Sequence, residues 1–205
     1  MLVDLTVKNF LDELESNAPV PGGGSVAALS AGISASLVGM VANLTIGKKK
    51  YVKVEDDMKQ IAADISAFKD TFVDLVDKDA SSFDDFMKAM KLPKESEEEK
   101  KIRTEEMQRS IKYAASVPLS CADEASKMFD MIESVVVSGN QNAVTDGAVA
   151  AMMARTAILS ALLNVKINMG SIKDEAYLAE LKIQVDRLEE IANRREKEIL
   201  SKVNL

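Results

Sequence analysis

Alternating steps of four and three along residues 72–90 pick out Phe72, Val76, Asp79, Phe83, Phe86 and Met90, which an α-helix places on one face. Asp79 therefore interrupts an apolar stripe, whereas Asp74, Asp77, Asp84 and Asp85 fall on more polar sides. A carboxylate set among phenylalanines loses hydration, and its pKa rises toward neutrality. That is the property a general acid–base group needs. The same pattern also fits a buried Asp paired with a lysine or capping a neighbouring helix. The sequence has no histidine. This removes Ser-His-Asp and Cys-His mechanisms, together with zinc sites built on His. Acid–base work near neutral pH then falls to Asp, Glu, Lys, Tyr or Cys with a shifted pKa.

Further candidates lie at the two ends of one apolar segment, which opens with PVPGGGS at 19–25 and closes with IGKKKY at 46–51. Gly22, Gly23 and Gly24 permit positive φ and a close approach of backbone to ligand. Ser25 is placed to cap a helix whose free amides attract anionic or acceptor groups. Lys48, Lys49 and Lys50 beside Tyr51 suit a ligand with carboxylates and an aromatic portion, although a helix C-terminus also favours cations without any ligand. Asn43 belongs to the same segment. At 139–147 the run GNQNAVTDG offers Asn140, Asn142 and Asp146, which can read a heterocycle's donor–acceptor edge. Turn chemistry accounts for Gly139 and the asparagines, and Asn142 or Thr145 can cap the next helix. Asn164 and Asn168, four apart, share a helix face and need partners in protein or ligand.

The elements that must position these residues are helical. Aromatic residues are only 4% of the chain, proline occurs four times, and apolar periodicity is helical almost throughout. Helices are expected over 6–15, 25–47, 55–91, 146–168 and 174–203. Residues 92–101 (LPKESEEEKK) separate the third from a charged helix whose apolar pattern Pro118 divides, and Gly139 ends the following one. Residues 26–46 carry no charge and are long enough to span a bilayer. Their Ala, Ser and Gly content makes them the central helix of a bundle instead, with no membrane. Gly32 and Gly39 allow close packing, and the helix holding Ala150, Ala151, Ala154 and Ala157 is the natural partner. In the last helix Tyr177, Leu181, Val185, Leu188, Ala192 and Ile199 form a stripe broken by Arg195. The expected fold is all-α: a single-domain bundle of long antiparallel helices over 1–205.

A net charge of −7 argues against nucleic acid as a partner. The lone cysteine, Cys121, excludes an internal disulfide and suits a reducing cytoplasm. The first residues show no basic-then-apolar run resembling a secretion signal, so a cytoplasmic protein is expected.

Taken together, PVPGGGSVAALSAG at 19–32, MVANLTIGKKKY at 40–51, VDKDASSFDDFMKAMKLPK at 76–94, ASVPL at 115–119, GNQNAVTD at 139–146 and NVKIN at 164–168 make the chain resemble the cyclodeaminase/cyclohydrolase family of tetrahydrofolate one-carbon enzymes. The likeness runs over essentially the whole chain. It implies a homodimer that binds folate, polyglutamylated or not, in a groove involving the subunit interface. It also implies no metal or redox cofactor, and a formiminotransferase as a candidate partner. The second Asp of V-D-x-D, here Asp79, would carry the proton. Gly22, Gly23, Gly24, Ser25, Asn43, Lys48, Lys49, Lys50, Tyr51, Asn140, Asn142, Asp146 and Asn164 would hold substrate. The reading taken from the resemblance is a 5-formiminotetrahydrofolate cyclodeaminase, since the stretch from Val76 to Arg103 is most like that enzyme. A methenyltetrahydrofolate cyclohydrolase and a non-catalytic folate-binding dimer are the alternatives.

Overall fold

Helix α1 (Val7–Glu15) begins where the Thr6 side chain accepts the Asn9 N–H. It is followed by α2 (Gly23–Thr45), α3 (Glu55–Met90), α4 (Glu97–Lys127), α5 (Phe129–Ser138), α6 (Val144–Met169) and α7 (Glu175–Leu200). The computed structural model describes residues 1–204, and among them there is no strand. The helix starts are set locally. Ser96 and Glu99 form a reciprocal capping box before α4, and Asp174 caps α7 by accepting the Tyr177 N–H.

The centre of the molecule is the α2–α6 pair. Ala27, Ala31 and Ala42 on α2 face a core that also holds Ala150, Ala154 and Ala157 of α6, all solvent-free. Side chains this small let the two backbones come close, and the Ser34 hydroxyl donates to the Ala150 carbonyl at 2.8 Å. On its other side α2 meets α3, where Gly32 lies against Phe72 and Gly39 against Ile65. Gly23 abuts Asn164 while Ser34 reaches Ala150, so α2 and α6 are antiparallel. The Ser25–Val76 and Gly39–Ile65 contacts make α3 antiparallel to α2 in the same way. Both α2 and the stretch through α6 are long and apolar enough to cross a membrane, but in this bundle the other helices bury 61% of the α2 window and 50% of the α6 one.

The structure departs from the sequence expectation at Pro118. Helix α4 runs straight through it and ends only at Lys127. Proline has no N–H to give the carbonyl four residues back, and that carbonyl, on Ala114, instead accepts the Asn168 side-chain amide of α6 at 2.9 Å. A tertiary contact thus repairs the helix where local rules break it. Neither Asn142 nor Thr145 caps α6. The residue that caps is Asn140, which accepts the Asn142 N–H at a 3₁₀ turn over Gln141–Ala143. Helix α7 docks on the bundle through Leu181, Val185, Leu188, Ala192 and Ile199. Arg195, the break in that stripe, pairs with Asp130 and Glu133 of α5 and with Glu198.

Candidate active site

Helix α2 opens at Gly22, which has no side chain to cap it. The first turn of any helix leaves N–H groups unpaired, and here a carboxylate from another helix meets them. The Ser25 hydroxyl lies 3.1 Å from Asp79 Oδ2 and 3.0 Å from the Val76 carbonyl, and the Ser25 backbone also bonds Asp79. A Cβ at Gly24 would lie 2.1 Å from Asp79 Oδ1, so only glycine admits the carboxylate in this place. None of Gly22, Gly23 and Gly24 uses positive φ, which among the described residues occurs only at Gly47. The glycines serve close approach alone. Ser25, expected to touch substrate, is fully buried, with its hydroxyl within hydrogen-bond distance of Asp79 and of the Val76 carbonyl.

Burial pushes the Asp79 carboxyl above its ordinary range, while the Ser25 hydroxyl and amide oppose the rise. Desolvation is the larger influence, and no lysine or arginine contributes. The lysine-paired alternative is therefore absent, and the helix-capping one is realised. Capping and proton transfer are compatible, because the carboxylate also lines an open chamber. The nearby Cys121 thiol is pushed up to about 12 by burial and by the charge on Asp79, so it remains protonated and is no nucleophile.

The chamber holds about 270 Å³ and is bounded by Pro19, Val20, the three glycines, Asp79, Phe83, Asn164, Ile167 and Asn168. It falls just below the range typical of whole-ligand pockets and so accommodates a reacting end, with the remainder of a ligand outside. Asn164 donates its amide N–H to the Ser160 carbonyl at 2.9 Å. Asn168 was not among the substrate-binding residues expected from the sequence. The signal that could have found it was its four-residue spacing from Asn164 on one face. Among the described residues no three Cys, Asp or Glu side chains converge as a metal set.

The other expected residues gather elsewhere. Tyr51 accepts the Gln141 N–H on its hydroxyl at 2.9 Å, and Lys50 lies over the Tyr51 ring. Asn140 donates its side-chain amide to the Leu44 carbonyl and takes Thr45 Oγ1 on its backbone N–H, closing the C-terminus of α2. Lys48, Lys49, Lys50, Asn142 and Asp146 belong to this same end. Asn43 is exposed and borders a groove between α2 and α3. Helix α2 has 23 residues, so at 1.5 Å per residue roughly 30 Å separates this end from Asp79. Within one chain the expected site is two sites.

A family model described as formiminotransferase-cyclodeaminase matches residues 6–187. The chain belongs to that family. Its relatives include the methenyltetrahydrofolate cyclohydrolase of Methylorubrum extorquens, 42% identical over 85% of this chain and 84% of that protein. The formimidoyltransferase-cyclodeaminase of Sus scrofa is 31% identical over 91% of this chain, which spans only 35% of that relative's length. Among solved structures, formiminotetrahydrofolate cyclodeaminase from Thermotoga maritima superposes with a TM-score of 0.89 at 28% identity, covering 99% of this chain and 98% of that one. Folate one-carbon chemistry is thus common to relatives whose named reactions differ.

Proposed function

We propose that the protein opens the methenyl bridge of 5,10-methenyltetrahydrofolate to give 10-formyltetrahydrofolate, with Asp79 as proton carrier. The observation that carries the chemistry is a desolvated carboxylate, without a counter-cation, held on the α2 N-terminus and open to a small chamber. Water adds to the methenyl carbon and gives a proton to Asp79. The carbon–N5 bond then breaks as Asp79 returns that proton to N5, and the hydroxyl proton leaves to solvent as the formyl group forms. One acid–base group of this kind supplies a factor of ~10²–10⁴. Hydrolysis is favoured by sequence identity, 42% to the cyclohydrolase relative against 28% to the deaminase neighbour.

The second reading, 5-formiminotetrahydrofolate cyclodeaminase, is favoured by the solved neighbour. There N10 attacks the carbon of the protonated formimino group (CH=NH₂⁺), and Asp79 takes the N10 proton and returns it to that nitrogen, which departs as ammonia and leaves the methenyl cation. A spectrophotometric assay at the methenyl absorbance separates the two. Loss of absorbance faster than spontaneous hydrolysis is expected, whereas a gain of absorbance with ammonia release from the formimino substrate would put the deaminase first. If neither rate exceeds background, the protein is a folate-binding module or is not a folate protein.

We also propose a homodimer. Leu29, Ile33 and Leu44 of α2 and Leu163 and Ile167 of α6 leave apolar surface exposed, Ile167 at 74%. This face continues into an apolar groove of about 460 Å³ between α2 and α3, and patches of this kind mark interfaces. Antiparallel pairing of two such faces sets the lysine end of one subunit beside the glycine-loop end of the other. That arrangement rejoins the two halves of the divided site. Light scattering should give twice the 22.3 kDa chain mass, and a single-chain mass at micromolar concentration would end the idea.

A further inference from the structure

We infer that Asn164 and Asn168 present their side-chain carbonyl oxygens to the hydrogen-bearing group at the reacting carbon, water in hydrolysis or ammonia in deamination, and so position it against Asp79. This rests on the folate reading above. Each amide lies in a determined sense, because its NH₂ group donates to a backbone carbonyl, which can only accept. Asn164 donates to Ser160, and Asn168 donates to Ala114. The two Oδ1 atoms have no protein partner, and neither is among the buried polar atoms lacking one, a condition met only by Asp77 Oδ2 among the described residues. They are therefore open, on residues that line the same chamber as Asp79. The three side chains Asp79, Asn164 and Asn168 all offer acceptors to a group entering the chamber. A water donating one hydrogen to Asp79 and one to an amide oxygen keeps a lone pair for the methenyl carbon. Ammonia leaving the same carbon offers N–H groups to the same acceptors.

Pro118 is the lock on this arrangement. Its missing N–H leaves the Ala114 carbonyl free to hold the Asn168 amide. Restoring an N–H with Pro118→Ala gives that carbonyl a second, competing donor and weakens its hold on the Asn168 amide. The helix gains a backbone hydrogen bond in the process, so lost activity could not be put down to a broken helix.

The test measures kcat and KM for whichever methenyl reaction the wild type performs, in Asn164→Leu, Asn168→Leu and Pro118→Ala, each with thermal denaturation. Leu approximates the shape of Asn without the acceptor. Each Leu variant is expected to lose kcat by about 10–100-fold, with KM within about twofold and the pH profile unmoved. Pro118→Ala should lose kcat by several-fold at a melting temperature no lower than that of the wild type. Should Asn168→Leu fail to fold, Asn164→Leu and Pro118→Ala carry the test alone. Loss in methenyl consumption assigns the held group as water, and loss in ammonia release assigns it as ammonia. Folded variants with unchanged kcat, or with KM raised and kcat kept, overturn the inference while leaving the folate reading intact. A wild type inactive in both reactions overturns the two together.

Discussion

Asp79→Asn is expected to lower turnover by ~10²–10⁴-fold while the protein stays folded and no less stable. Asparagine is nearly the same shape and accepts hydrogen bonds as a helix cap about as well as aspartate, so the Ser25 contact survives and only the transferable proton is lost. Wild-type Asp79 is held above its ordinary pKa by burial. Its native state therefore binds the proton more tightly than the unfolded chain, and the stability tied to that proton is complete below the unfolded value of roughly 3.9 and lost as pH rises through the native value. The variant should accordingly match or exceed the wild type in melting temperature at pH 7, with any advantage vanishing near pH 4. The wild-type rate should also show a limb above the usual carboxylate range that the variant lacks. Steady-state rates across pH, together with melting curves at both ends, give the answer. Full turnover in a folded Asp79→Asn protein would reduce Asp79 to a helix cap.

Gly24→Ala is expected to separate position from presence. The new Cβ would meet Asp79 Oδ1 at 2.1 Å, Cγ at 2.4 Å and Oδ2 at 2.6 Å. The obstacle is the free end of a side chain, so the carboxylate swings aside and the fold survives. Alanine is also the better helix former by ~1 kcal/mol. Displacing a catalytic group by an ångström is enough to cost about 10²-fold in rate. Turnover should fall by that order with stability within about 1 kcal/mol of wild type, as read by urea denaturation. Wild-type turnover in this variant would mean that the carboxylate is not needed where it lies. Gly139 makes a useful contrast. A Cβ there meets the Val135 carbonyl oxygen at 2.4 Å, and because backbone cannot swing aside, alanine at that position strains the fold.

The likeness of residues 76–103 points to the deaminase, whereas identity over most of the chain is higher to a cyclohydrolase, 42% against 28%. Both reactions pass through the same methenyl carbon and ask the same of Asp79. Residue patterns in its helix therefore do not distinguish them.

Periodicity by itself determined the helical class, the long α3 and α7, the small-residue character of α2 and α6, and the singularity of Asp79. Each is a property of one helix face, and a face is set by spacing along the chain. Only the tertiary structure decided what those faces meet. Ser25 looked like a cap open to ligand and became the support of Asp79, because α3 brings Val76 and Asp79 onto the first turn of α2. Pro118 looked like a helix end and became an anchor for Asn168, because α6 supplies the donor to the orphaned carbonyl. The lysines and the glycine loop looked like one site and lie at opposite ends of α2, since a segment that is continuous in sequence is a rigid rod once helical. Local spacing encodes which side chains share a surface. Which surface from a distant part of the chain arrives opposite depends on packing small residues against small ones across α2 and α6, and that pairing has no local signature.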